Sequence, residues 1–338
     1  MRSMQSAPCT PHDEHIDRTD VTDLNSEIFQ AETQLAPRVQ GLIQLVTEHI
    51  RDGRIQRSLA LVAAGSSFVS GLEVSYEHYK GSYSNPVMYS PVLLSGALTV
   101  ASGCAIFSER TARTWMRGLS AITLADGIIG FGFHIRGIAR KPGGWRIPVV
   151  NIVMGPPIFA PLLFGTAAYL ALMASYLRRE GEPKLPPAEL EKVSAKKYSG
   201  WKRELYEGKF QKHLAVVSAL WAAFSGFEAW YSHYKNNFQY KVQWSPILLA
   251  PLQVAACVAA IVNERMATTL LPAVSVVTAL DGAVGFGFHA RGVLRRPGGK
   301  QKWLYNILYG PPIFAPLLFS ACGALGLLAS VLRREKRV

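Results

Sequence analysis

Residues 130–144 read GFGFHIRGIARKPGG and residues 285–299 read GFGFHARGVLRRPGG; residues 155–164 and 310–319 both read GPPIFAPLLF. A shift of 155 residues therefore lays the chain on itself. From Asp126-Gly127 against Asp281-Gly282 to Phe164 against Phe319, 25 of 39 positions are identical without a gap. Weaker matches continue upstream. Glu73, His78, Tyr79, Lys80, Ser90, Pro91, Glu109 and Arg110 pair with Glu228, His233, Tyr234, Lys235, Ser245, Pro246, Glu264 and Arg265. The sequence is one unit written twice.

Outward from these motifs, each copy holds four apolar stretches. They run over 58–79, 90–108, 116–137 and 156–177, and over 213–234, 245–263, 268–292 and 311–332. About 20 apolar residues cross the ~30 Å hydrocarbon layer as a helix. The pattern predicts an all-α polytopic membrane protein: eight transmembrane helices in two parallel four-helix repeats. Four spans per copy bring both copies in from the same side, so a pseudo-twofold axis runs along the membrane normal. The expected divisions are a polar N-terminal extension (1–56), repeat 1 (57–180), a linker (181–211) and repeat 2 (212–335). Ser-Pro opens the second stretch of each copy and Gly-Pro-Pro the fourth, where proline suits a first helical turn. Pro161 and Pro316 fall inside the fourth stretch and are expected to kink it.

The chain has 338 residues, is 49% hydrophobic and only 17% charged, and has a net charge of +13. The basic residues flank the apolar stretches, which reads as a topology signal and not as a nucleic-acid footprint. Let side A carry both tails, the linker and the loops after spans two and six. It holds 24 Lys and Arg against 12 on side B, or 21 against 12 without the distant Arg2, Arg18 and Arg38. The excess puts side A, with both termini, in the cytoplasm of a bacterial inner membrane. The first 50 residues carry eight acids and no short apolar leader segment. A weak amphipathic helix is expected over 38–49, with Val39, Leu42, Ile43 and Val46 on one side. The linker, with Pro183, Pro186 and Pro187, reads as a helix or loop on the membrane surface. Cys9, Cys104, Cys257 and Cys322 lack C-x-x-C spacing, and no Walker A, nucleophile elbow or H-E-x-x-H pattern occurs.

Ionisable groups inside a bilayer are costly and mark functional sites. Asp126 and Asp281 fall near mid-membrane by helix rise. They are candidate proton or ion sites, or else hydrogen-bond anchors between helices. Glu73, His78 and His134, with Glu228, His233 and His289, approach side B. Imidazole and carboxylate suit iron, copper, manganese or zinc, and paired histidines suit haem b. Five residues put Glu73 and His78 about 140° apart on a straight helix, so the cluster is not a compact ligand motif. Arg136, Arg140, Arg291 and Arg295 form a basic side B rim suited to an anionic group. Asn151 and Asn306 are expected to close the Pro-Gly-Gly turns.

Three functions follow. The first is a metal- or haem-binding redox membrane protein or oxidoreductase subunit, with the Glu/His residues as ligands and a membrane or soluble redox partner. The second is a proton- or cation-coupled transporter using Asp126 and Asp281. The third is a membrane assembly or scaffold protein. Two histidines and a glutamate per copy tilt the reading toward the first.

Overall fold

The computed structural model describes residues 40–334, apart from 42, 43, 47, 51, 181 and 184, and every regular element among them is helical. Residues 40, 41, 44 and 45 belong to a separate N-terminal unit and are helical. Val39, Leu42 and Ile43 of the expected amphipathic helix lie outside the described residues. Val46 and Ile50 belong to the main body and pack against its core.

The main body contains ten principal helices. The first half holds α1 (Ile55–Lys80), α2 (Ser90–Ala105), α3 (Arg117–Ala139) and α4 (Ala160–Tyr176). The linker forms α5 (Pro187–Lys197) and α6 (Trp201–Tyr206). The second half holds α7 (Gln211–Lys235), α8 (Ser245–Val262), α9 (Leu270–Leu294) and α10 (Ala315–Arg334). Among the described residues, seven helical stretches are long and apolar enough to cross a membrane, which makes this an integral membrane protein. The eighth apolar helix, α4, is shorter, at 17 residues. Helices are the expected solution because lipid offers the backbone no hydrogen-bond partners.

Within the first half α1 packs on α2, α2 on α3, α3 on α4, and α4 back on α1. The second half closes the same ring through α7, α8, α9 and α10, and α4 meets α7 across the halves. Small residues set the closest approaches. A Cβ on Gly282 would lie 2.3 Å from the Ser320 nitrogen, and one on Gly127 would lie 2.6 Å from the Pro161 oxygen. The GFGF glycine-bearing helices therefore press backbone to backbone against α4 and α10.

The fourth helices begin later than the sequence suggests. Gly-Pro-Pro stays outside them, and α4 and α10 start at Ala160 and Ala315. Pro161 and Pro316 consequently occupy the first turn, where they cost no hydrogen bond, and the expected kink has no place to form. The third helix of the first half is longer than expected. It is continuous from Glu109 through a π-helical stretch at Ala112–Met116. Its counterpart breaks at Thr269, between Glu264–Thr268 and α9.

On side A the linker is tied down by Glu207. Its carboxylate takes hydrogen bonds from Ser194 and from Arg203 Nε (2.8 Å) and Lys209 Nζ (2.7 Å). Burial alone would push this carboxyl up, but the three donors bring it down to about 2.

Candidate functional site

The loop after the first helix of each half is built around a strained turn. Ser82 and Tyr83, and at the matching places Asn237 and Phe238, adopt positive φ without being glycine. Ring stacking holds the strain: Tyr83 lies on Tyr89 at 4.3 Å, and Phe238 lies on Trp244 at 4.2 Å. The turn presents a backbone carbonyl to a histidine on the first helix. His78 Nδ1 lies 2.7 Å from Met88 O, and His233 Nδ1 lies 3.0 Å from Gln243 O.

The second histidine of each half is held from the opposite direction. His134 Nδ1 lies 2.5 Å from Pro157 O, and His289 Nδ1 lies 2.7 Å from Pro312 O. This bond explains why Gly-Pro-Pro remains non-helical: its carbonyl is turned onto the imidazole of the third helix. A carbonyl only accepts, so each bonded Nδ1 carries the proton. A neutral ring in that tautomer keeps its Nε2 lone pair free. All four histidines are half-buried.

In the second half these groups surround a cavity of about 810 Å³. Its walls include Glu228, His233, Asp281, His289, Arg291 and Arg295, the second-half residues that the sequence marks as candidate metal, proton and anion groups. The His233 and His289 rings are 6.5 Å apart, centre to centre, and 71° between planes. Among the described residues, no group of three or more His, Cys, Asp or Glu is gathered closely enough to hold a metal ion. The three-ligand sets Glu73/His78/His134 and Glu228/His233/His289 are therefore not assembled, although Glu228 shares a cavity wall with His233 and His289. The angular separation on one helix accounts for this.

Asp126 serves as a helix anchor in this geometry, with Ser90 Oγ 2.8 Å from its Oδ1, and Asp281 shares the cavity wall with Ser245. Both serines open a second helix, which puts Asp126 level with the first turn of α2. Arg136, Arg140, Arg291 and Arg295 are exposed, the last two at the cavity mouth. Asn151 Nδ2 donates to Pro142 O at 3.0 Å and to Gly144 O at 2.7 Å. Asn306 Nδ2 makes the matching bonds to Pro297 O and Gly299 O.

Glu228, on α7, shares this cavity wall, and its first-half counterpart Glu73 lies on α1. Glu228 Oε1 is shut off from solvent and has no hydrogen-bond partner. A further polar centre was not found from the sequence. Gln253, fully buried on α8, donates to Ser218 Oγ and Ser275 Oγ, both at 3.0 Å. It also accepts from Thr278 Oγ1 at 3.2 Å.

No family model matches the chain, and neither a curated protein nor a solved structure matches it.

Proposed function

We propose that this is an eight-span membrane protein of two parallel four-helix repeats, with cytoplasmic termini and a side B redox site in its second half. In this reading α4 is the eighth span. The short helix is tolerated because most of it is buried within the protein, where lipid does not demand full hydrocarbon length. The site is a redox metal or haem b held between His233 and His289. Its substrates or electrons pass to a partner on side B.

One observation carries the reading. Each of the four histidines gives its Nδ1 proton to a backbone carbonyl, as metal-bound histidines characteristically do. The spacing supports it too. An ion bound by both Nε2 atoms at about 2 Å would separate the ring centres by roughly 6 Å, against the observed 6.5 Å. Two imidazoles without a third protein ligand suit haem iron or copper better than tetrahedral zinc. Arg291 and Arg295 at the mouth suit the acidic groups of such a cofactor. His78 and His134 are positioned as a second, weaker version of the site.

The test is an absorbance spectrum with metal analysis on purified protein in detergent, beside His289→Ala and His134→Ala. The expected result is a Soret band or stoichiometric copper that falls by at least half in His289→Ala. Protein that stays colourless and metal-free after reconstitution with haem and with copper overturns it. Proton- or cation-coupled transport is the second reading. It is favoured by the solvent-shut, unpartnered oxygen of Glu228 more than by Asp126, which is spent on a serine.

A further inference from the structure

We propose that the second-half cavity takes an amphipathic organic anion, with its acid group on Arg291, Arg295 and Arg296 and its apolar body against Val284 and Phe288. The inference goes beyond the redox reading and does not require it. A single ion between His233 and His289 would leave most of the cavity, about 810 Å³, open to such a ligand.

Val284, Phe288, Arg291 and Arg295 follow one another on α9 at intervals of four, three and four residues, which sets them on one face of the helix. All four line the cavity. Toward side B the stripe changes from apolar to cationic, and Val284 lies about 10 Å below Arg291 by helix rise. Val284 and Phe288 are exposed, so an apolar body would cover carbon that lies open. The arginine fork matches a carboxylate, phosphate or sulfonate through two parallel hydrogen bonds. Arg296 adds a third guanidinium to the wall, and its Nε is shut off from solvent without a hydrogen-bond partner. Among the described residues none of these three arginines stands in an ion pair, so their charge is unspent. The acids of the wall lie further in. Glu228 is seven residues before the side B end of α7, about 10 Å down, and would turn a ligand's acid group outward to the arginines.

The same stripe recurs in the first half as Ile129, Phe133, Arg136 and Arg140, so it does not by itself single out one copy. The facing wall does. Where α1 carries Glu77, bound to Lys80 at 2.7 Å, α7 carries Ser232 in the cavity wall. The second-half cavity therefore sets three bases, the arginines, against two acids, Glu228 and Asp281. The matching first-half positions set Arg136, Arg140 and Lys141 against three, Glu73, Glu77 and Asp126. Two more exchanges, Tyr240 for Asn85 and Tyr309 for Met154, add aromatic faces to the second-half wall. The second copy is thus the one fitted to an anion with an apolar body, and the chain takes one such ligand.

The experiment is equilibrium dialysis of the full chain in detergent micelles at neutral pH against 2-naphthoate, octanoate and phenyl phosphate, with protein-free micelles as the blank. Saturable binding of at least one of them, at one site per chain, is expected. The uncharged 2-naphthamide should bind at least tenfold more weakly than 2-naphthoate. Arg291→Gln combined with Arg295→Gln should weaken binding at least tenfold, and Ser232→Glu, which installs the first-half residue, at least threefold. Arg136→Gln combined with Arg140→Gln should leave it unchanged. The arginines are exposed, so these variants are expected to fold, and gel filtration checks it. The proposal is overturned if none of the three probes saturates, if the amide binds as well as the acid, or if the first-half arginines matter equally. Inorganic phosphate binding as tightly as phenyl phosphate also overturns it, because the apolar body would then play no part. Displacement of the probe by phosphatidylglycerol but not by phosphatidylcholine identifies a lipid as the natural ligand; displacement by neither identifies a soluble acid. Absorbance and metal content are recorded on the same sample. Probe binding to colourless, metal-free protein supports this site while the redox reading fails, and metal or haem without probe binding does the reverse.

Discussion

Gln253 and Leu98 occupy equivalent positions 155 residues apart, and both are fully buried. Around Gln253 the second half forms a polar knot. Ser218 Oγ donates onward to Cys322 O at 2.7 Å, and Ser275 and Thr278 close on the amide. Around Leu98 the counterparts of Ser218, Cys322 and Cys257 are Ala63, Ala167 and Ser102, while Ser120 and Thr123 match Ser275 and Thr278. Of these, Ser120 bonds back to Met116 O, and the Thr123 and Ser102 hydroxyls have no partner. The two cores have the same order of helix neighbours and different cement. The first half relies on apolar packing. The second relies on directional bonds, which fix helix positions more tightly in a medium where apolar contacts give little preference among partners. The half with the stiffer core is also the half whose histidine rings face each other across a described cavity.

The comparison breaks most sharply at Gln253. Gln253→Leu removes the amide from three hydroxyls, of which Ser218 keeps Cys322 O and Thr278 keeps Val274 O, and at the modest worth of hydrogen bonds between membrane helices it should cost about 2–4 kcal/mol. The readout is a lowered thermal midpoint of the purified protein. Adding Ser218→Ala should recover part of that loss, because it makes the site resemble the first half; a double-mutant cycle measures the coupling. A smaller effect is expected from the reverse exchange, Leu98→Gln. The amide would meet Ser102, Ser120 and Thr123, so the loss should stay within about 1–2 kcal/mol. If Leu98→Gln proves as damaging as Gln253→Leu, the polar knot depends on more than the groups that bond to it.

The smallest expected effect is local and lies outside both halves. Glu207 has its carboxyl held down to about 2 by Lys209, Ser194 and Arg203 against the cost of burial. A depressed acid stabilises the folded linker above its unfolded pKa and loses that contribution as pH falls toward the folded value. The linker should thus become protease-sensitive between about pH 4.5 and 2. Glu207→Gln should show that sensitivity already at pH 7. Limited acid proteolysis that cuts the wild type and the variant alike would remove the anchor role.

The repeat and most helix positions were legible because a membrane helix must be both long and apolar, and both properties can be read residue by residue. The starts of α4 and α10 were not. Hydropathy runs straight through GPPIFAPLLF, and only the imidazoles of His134 and His289 show why its carbonyls turn outward instead of entering a helix. The histidines, Glu228, Asp281 and the arginine rim were legible because duplication repeats them. The same filter concealed Gln253. A residue replaced by leucine in the sister copy does not register when the eye is trained on what recurs. The role of Asp126 was half visible: the Ser-Pro that opens α2 was read as a helix start, whereas its serine also holds the aspartate.

The carbonyls of Pro157 and Pro312 meet imidazoles five residues inside the ends of their helices, at Ala139 and Leu294. At 1.5 Å per residue these loops dip about 7 Å below the rim. Water that followed the dip would carry the side B electrical potential inward with it. A voltage across the bilayer would then fall over the remaining thickness, so the field there would be steeper than in the surrounding lipid. Moving a unit charge across the whole membrane is worth about 2.3 kcal/mol per 100 mV, and a charge entering such a dip from side B would meet little of it.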